Sequence, residues 1–295
     1  MLMSHWEEFF ERKREELGVS LNEVQEKAVL HTQGPLLLLA SPGSGKTTTT
    51  IMRIGYLIEE MGVSPSRIKA VTFSRASAED MKKRFQRFFP NHRETSVDFS
   101  TIHSLAFEVV RDYFNKNNVT YKLIEGKVDF SEKEKSTVNN NGQLSKKGII
   151  RRIFNEVTGE IISEEQLEEI ISYISFIKNK LVSENEWSKV SCDVPHAKTI
   201  MKNYEKFKKN GSYLLLVDFD DMLTIANEAL GKDQLLLENY QQRYDYFLTD
   251  ESQDTSMVQH AIIEKLVAKH ENLYVVADDD QSIYTWRAAE PHLCL

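Results

Sequence analysis

Two hydrophobic rhythms divide this chain. Toward both ends, short unbroken apolar runs alternate with longer stretches whose apolar residues recur every three or four positions. "LLLLA" (36–40) is fully apolar and bounded by turn residues, so it predicts a buried strand. "RIKAVTF", "SVDFS", "YDYFLTD" and "NLYVVAD" predict four more. Helical patterns lie between them. "SLNEVQEKAVLH" opens with a capping-box pattern, Ser20 with Glu23, and ends before Gly34-Pro35. A second helix runs from about Gly45 to Met61 and stops at Gly62, and a third, "SAEDMKKRFQRFF", ends before Pro90. This alternation predicts an α/β fold, a parallel sheet flanked by helices.

The middle of the chain differs. From about Tyr121 to Asn210 it is polar, rich in Lys, Glu and Asn, and mostly helical in pattern. "SEKEKSTVNNNGQLSKKG" reads as an exposed, mobile loop. "SEEQLEEIISYISFIKNKL" places Leu167, Ile170, Ile171, Ile174 and Ile177 at helical spacing. The predicted organisation is an α/β domain over 1–115 and 212–295, with a mainly helical subdomain inserted at 116–211. There is no internal repeat.

Composition narrows the class only a little. With 295 residues, 41% hydrophobic and 28% charged, the chain can bury a sizeable core. No apolar run reaches the roughly 18 to 20 residues of a membrane span, and the N-terminus lacks a signal-peptide core. Cys192 and Cys294 have no paired-ligand spacing. A disulfide framework or zinc site is not expected, and the compartment expected is a reducing cytoplasm. The net charge of -8 argues against a purely electrostatic nucleic-acid binder. "KTIMKNYEKFKKN" (198–210) nevertheless sets five lysines against Glu205 alone, which reads either as a solvated helix face or as a local basic path.

The most specific local signal is Ala40-Ser41-Pro42-Gly43-Ser44-Gly45-Lys46-Thr47-Thr48, after a strand and at the start of a helix. Glycines allow a tight turn whose N–H groups converge on a phosphate, and the helix N-terminus adds partial positive charge. Lys46 is suited to the β- and γ-phosphates, and the Thr47 hydroxyl to Mg²⁺. Ala40 stands where the pattern usually has Gly. At the end of a later strand, Asp250 and Glu251 are suited to hold Mg²⁺ and to activate water respectively. Together these imply a nucleoside triphosphate site.

A set of further motifs, in order, resembles the UvrD/Rep/PcrA-type superfamily 1 DNA helicases. "LNEVQEKAV" resembles the family's Q motif, which implies that Gln25 contacts adenine. "AVTFSRASAEDMKKR" resembles motif Ia, with Thr72, Phe73, Ser74 and Arg75 on the path of single-stranded DNA. "STIHSLA" resembles the next motif and implies Thr101, His103 and Ser104 near the DNA backbone; Ile102 replaces a common Phe. "VDFDDML" resembles the return from the helical insertion, where Asp218, Asp220 and Asp221 serve local structure. "DESQDT" resembles motif II, with Gln253 and Asp254 linking it to the next motif. "VVADDDQSIYTWRAA" resembles motif III, with Gln281 at the γ-phosphate and Tyr284, Trp286 and Arg287 facing DNA. Ala277 and Ala288 stand where the family has glycine. The insertion resembles subdomain 1B, which places the lysines of "KTIMKNYEKFKKN" near DNA phosphates.

The resemblance implies a RecA-like ATP-binding motor domain, with ATP and Mg²⁺ at the site and single-stranded DNA or a single-strand/duplex junction as partner. Such helicases continue through a second motor domain that closes the nucleotide cleft. These residues are therefore expected to form one wall of that cleft, weak in turnover until a C-terminal half or a protein partner completes it. Two alternatives share the same motifs: a fragment of a helicase–nuclease subunit of AddA or RecB type, and a nucleotide- and single-strand-binding module without turnover of its own.

Overall fold

A computed structural model describes residues 5–41, 43–92, 94, 97–124, 145–209, 214–250 and 256–277, with the backbone of 291–294. The chain divides into two compact units, one of residues 1–105, 233–255 and 263–295, the other of 106–232 and 256–262.

The first unit is built on a six-stranded sheet with every strand pair parallel. Its strands are β1 (Leu36–Leu39), β2 (Ile68–Thr72), β3 (Asp98–Thr101), β6 (Tyr246–Thr249), β7 (Leu273–Ala277) and β8 (Pro291–Cys294), in the order β3-β2-β6-β7-β1-β8. The alternation of a strand puts one set of side chains on one face. Leu36 and Leu38 pair in register with Tyr274 and Val276, and Ile68 and Ala70 with Tyr246 and Leu248. All eight enter one apolar cluster with Ile51, Ile54, Leu57, Phe85 and Phe89. That cluster is the reason for the helices α3 (Lys46–Glu59) and α4 (Arg75–Phe88), whose apolar stripes need such a surface. α1 (His5–Leu17) adds Phe9, which stacks on Phe89. Gly55 in α3 is required by contact: a Cβ there would meet the Phe89 ring at 1.8 Å.

The five predicted strands form. The helix after "SLNE" forms as α2 (Glu23–Leu30), but its cap is not the predicted Ser20–Glu23 pair. The Asn22 side chain accepts from the Gln25 N–H at 2.9 Å, and the Gln25 side chain accepts from the Asn22 N–H at 2.9 Å. The same reciprocal geometry sits two residues later because Asn22, in extended backbone, is the residue that precedes the first helical turn.

The second unit holds most of α5 (Ile102–Lys116), α6 (Lys146–Thr158), α7 (Glu164–Asn179), α8 (Ala197–Lys209), α9 (Phe219–Lys232) and a two-stranded parallel ladder of β4 (Tyr121–Leu123) and β5 (Leu215–Val217). Its core gathers Leu167, Ile170, Ile174 and Ile177 from α7, the spacing expected, with Ile150, Phe154, Ile200 and Tyr204. This unit is larger than the expected insertion at 116–211, because α9 packs on α7 and β5 pairs with β4. The stretch expected as a mobile loop lies mostly outside the described residues. Its last residues are helical, with Ser145 capping α6 by accepting from the Gly148 N–H.

Charges are buried here as well. Lys146, Lys178 and Lys208 converge on Glu205, Asp218, Asp220 and Asp221. The Asp218 and Asp221 carboxylates also cap one another's backbone N–H, at 2.7 and 2.9 Å. Among the described residues no helix is long and apolar enough to cross a membrane.

Candidate nucleotide and nucleic-acid site

The site begins where β1 ends. The Ala40 N–H donates to the Ala277 carbonyl at 3.0 Å, which carries the ladder one residue past the strand, and the Ser44 N–H closes a turn on the Ser41 carbonyl at 3.1 Å. Gly43 and Gly45 have φ of +79° and +85°, the left-handed region where a side chain is strained. Gly45 is also crowded, since a Cβ would lie 2.9 Å from the Gln25 amide nitrogen. Ser41 is exposed, Ser44, Lys46, Thr47 and Thr48 are half-buried, and Pro42 lies outside the described residues.

α3 then starts without a side-chain cap and without an acid in its first turn. Its leading N–H groups keep their partial positive charge toward the loop, the arrangement that suits a bound phosphate. Thr49 and Thr50 turn away from this end: their hydroxyls donate to the Gly45 and Lys46 carbonyls at 3.1 and 3.0 Å. Gln25 touches the loop from the other side, its amide donating to the Ser44 carbonyl at 2.8 Å.

Asp250 follows β6. Its N–H donates to the Val71 carbonyl at 3.1 Å, continuing the β2–β6 ladder, and its side chain is half-buried. Every strand of this sheet runs the same way, so the β1 loop and Asp250 share its C-terminal edge, separated by β7 alone. Thr47 and Asp250 are hard oxygen donors, the type that suits Mg²⁺. Glu251, Gln253, Asp254, Gln281, Tyr284, Trp286, Arg287 and Ala288 lie outside the described residues.

The residues expected on a DNA path lie at the C-terminal ends of the neighbouring strands β2 and β3, where Thr72 and Thr101 are register partners. Those two threonines are buried and serve local turns. The Thr72 hydroxyl donates to the Ser74 carbonyl, and that of Thr101 accepts from the Ser104 N–H. Ser74 caps α4 by accepting from the Ser77 N–H at 3.1 Å. Phe73, 54% exposed, and the exposed Arg75 are what this edge presents to solvent, with His103 and Ser104 half-buried beside it.

The basic run of α8 is not uniform. Lys206 and Lys209 are exposed and Lys202 pairs with Glu184 at 2.8 Å, whereas Lys208 is 1% exposed and lies among carboxylates. Lys208 is thus removed from the expected set of phosphate contacts, because it falls on the apolar stripe of α8 with Ile200, Met201 and Tyr204.

One residue passed over in the sequence is Arg53, on the buried face of α3, the helix that the loop opens. The signal was there: a lone arginine within "TIMRIGYLI", a stretch too apolar for a solvated charge.

The sheet order, the glycine loop opening α3 and the acid that follows β6 define a phosphate-loop α/β domain. The match is more particular than that class: residues 21–295 match the family described as UvrD/REP helicase N-terminal domain, and the chain belongs to that family. It is 31% identical over 271 residues to DNA helicase II of Rickettsia typhi, covering 92% of this chain and 39% of that protein. To the ATP-dependent DNA helicase PcrA of Staphylococcus aureus it is 31% identical over 274 residues, 92% of this chain and 34% of the other. A probable DNA helicase II homolog of Rickettsia conorii is 33% identical over 272 residues, with 92% and 39% covered. The chain therefore spans between a third and two fifths of the length of these relatives.

Proposed function

We propose that this chain is the N-terminal, ATP-binding part of an ATP-dependent DNA helicase that tracks single-stranded DNA and acts at single-strand/duplex junctions. The observation that carries this reading is the loop from Ser41 to Gly45, left-handed at both glycines, between β1 and an uncapped α3. In this reading the loop amides and Lys46 bind the triphosphate, Gln25 reads the adenine edge, and Ser41, Pro42, Ser44 and Thr48 line the loop. Thr47 and Asp250 hold Mg²⁺, which when bound neutralises charge on the phosphate oxygens. Glu251 takes the proton of the attacking water, and Gln281 orients toward the γ-phosphate. Phe73, Arg75, His103, Ser104, Tyr284, Trp286 and Arg287 meet the DNA strand. Turnover by this part alone is slow, since positioned positive charge on the transferring phosphoryl group contributes roughly 10³ to 10⁵ in rate and is expected from a second motor domain.

The test is ATP hydrolysis with and without single-stranded DNA, on this chain and on a longer parent, with Lys46→Ala and Glu251→Gln as controls. DNA-stimulated turnover in the parent, abolished by both substitutions, is expected. An unchanged rate in Lys46→Ala would sink the reading.

A further inference from the structure

Arg53 is 1% exposed and has no carboxylate partner among the described residues. One of its terminal nitrogens donates to the Ala28 carbonyl at 2.8 Å and to the His31 carbonyl. Ala28 lies in the last turn of α2 and His31 is its C-terminal cap residue. The guanidinium thus serves, from α3, as the positive group that the C-terminal end of α2 favours. Its other face lies 5.0 Å from the centre of the Tyr274 ring on β7. A buried cation without a paired acid is costly, and burial pulls this guanidinium down to about 10, so its retention needs a reason beyond packing.

The other end of α2 supplies that reason. α2 has eight residues, far fewer than a helix needs to hold its shape alone. Besides the burial of Ala28 and Val29 in the core, two polar contacts fix it to one partner, the loop-and-helix segment of Ser44 and α3. Gln25 grips the loop through the Ser44 carbonyl, and Arg53 grips the carbonyl end of α2 two turns further along α3. Any tilt of α2 about the Gln25 contact is blocked by Arg53.

We infer that Arg53 is a positioning residue that sets the distance between the base-reading helix α2 and the phosphate loop, and thereby the preference for adenine over other bases. This rests on the proposed role of Gln25 and of the loop. Lysine does not substitute: its shorter side chain ends in a compact ammonium and lacks the planar guanidinium that faces the Tyr274 ring while one of its nitrogens donates to both carbonyls.

The experiment measures binding of ATP, GTP and inorganic triphosphate, each with Mg²⁺, to the wild type, Arg53→Lys, Arg53→Gln and Gln25→Ala. Both Arg53 variants should lose ATP affinity by about tenfold or more, with triphosphate affinity held within about twofold and the ATP:GTP ratio falling toward that of Gln25→Ala. Equal losses for ATP and triphosphate would assign Arg53 to the loop or the fold and overturn the inference, as would no loss at all. Failure of the underlying reading looks different: the wild type would bind neither triphosphate nor ATP, or Gln25→Ala would leave the ATP:GTP ratio unchanged. Should the Arg53 variants lose their cooperative thermal transition, amide hydrogen exchange on the wild type decides. Protection of α2 matching that of α3 supports the clamp, and α2 exchanging orders of magnitude faster than α3 overturns it.

Discussion

Lys208 Nζ lies 2.9 and 2.8 Å from the two carboxylate oxygens of Asp221, inside the core of the second unit. Its ammonium also lies 4.5 Å from the centre of the Tyr204 ring, and Tyr204 donates its hydroxyl to Asp218 at 2.8 Å. The lysine-rich stretch 198–210 therefore contributes one of its five lysines to a buried network that joins four helices and Asp218, the residue that follows β5. The network ties α6, α7 and α8 to α9, since Lys146 pairs with Asp220, and Lys178 and Lys208 with Asp221.

The first expectation separates this lysine from its neighbours. Removing one member of a buried pair strands the other, at a cost of about 3 to 5 kcal/mol. Lys208→Ala should lower the unfolding free energy by that amount. Lys206→Ala, at an exposed position, should change it by no more than about 0.5 kcal/mol. Urea denaturation of both variants checks this. Equal small effects would mean that the network contributes nothing net.

The pH dependence has a definite sign. Burial alone would raise the Asp218 carboxyl, but Lys178, Lys208 and Lys146 outweigh it and hold the group far below the usual carboxylate range. The unfolded chain then binds a proton where the native chain does not. The stability from Asp218 is full above pH 3.8 and is lost as pH falls through the native value. Burial lowers Lys178, but Asp221, Asp218 and Glu205 more than reverse that; its contribution is full below pH 10.5 and is lost as pH rises through the native value. Asp221, raised chiefly by burial, runs the opposite way and offsets part of the acid loss. The stability difference between wild type and Asp218→Asn should stay constant from about pH 5 to about pH 9 and shrink below 3.8. Denaturation curves at stepped pH measure it, and a difference that grows on acidification would reverse the assignment.

How far the sequence could be read depended on whether a feature is local. β1, the glycine loop and α3 are contiguous, and each carries its own signal, so element order and loop were legible together. The α7 stripe was legible for the same reason. What failed needed a neighbour distant in sequence. Lys208 shares the α8 stripe with Ile200, Met201 and Tyr204, but the partners that make a buried lysine tolerable there, Asp218 and Asp221, lie ten and thirteen residues further on. Arg53 needs the carbonyls of α2, twenty-two and twenty-five residues back. Ser20 and Asn22 offer equal local capping chemistry, and the choice between them belongs to where the backbone turns. β8 went unread because Pro291 opens it and its pairing to β1 breaks register between Leu37 and Leu38.

On the edge proposed for DNA, exposure separates the groups expected to matter. Phe73 has little burial to lose, so Phe73→Ala should leave stability unchanged while weakening single-strand binding by about 1 to 3 kcal/mol, the usual contribution of one stacked base. Arg75 stands at the first position of α4, where its charge adds to that of the helix N-terminus. Arg75→Ala should weaken binding and make the slope of log affinity against log salt shallower by about 0.7. Fluorescence anisotropy at several salt concentrations reads both. Thr72→Ala supplies the contrast: its hydroxyl holds the Ser74 carbonyl, so it should lower stability and leave the salt slope unchanged.

Gly45 and Gln25 provide a test of the loop itself. Alanine at Gly45 meets two separate obstacles. At φ +85° an L residue is disfavoured by about 1 to 2 kcal/mol. Its Cβ also approaches the Gln25 amide nitrogen to 2.9 Å, so Gln25 must release the Ser44 carbonyl or open its capping box with Asn22. The first obstacle is independent of Gln25 and the second vanishes when Gln25 is truncated. In a double-mutant cycle, Gly45→Ala should therefore cost less stability in a Gln25→Ala background than in the wild type, with a coupling of about 0.5 to 1 kcal/mol. ATP affinity should fall in both single variants, and by less than the sum in the double. Strict additivity in stability and in binding would mean that α2 does not rest on the phosphate loop through this contact.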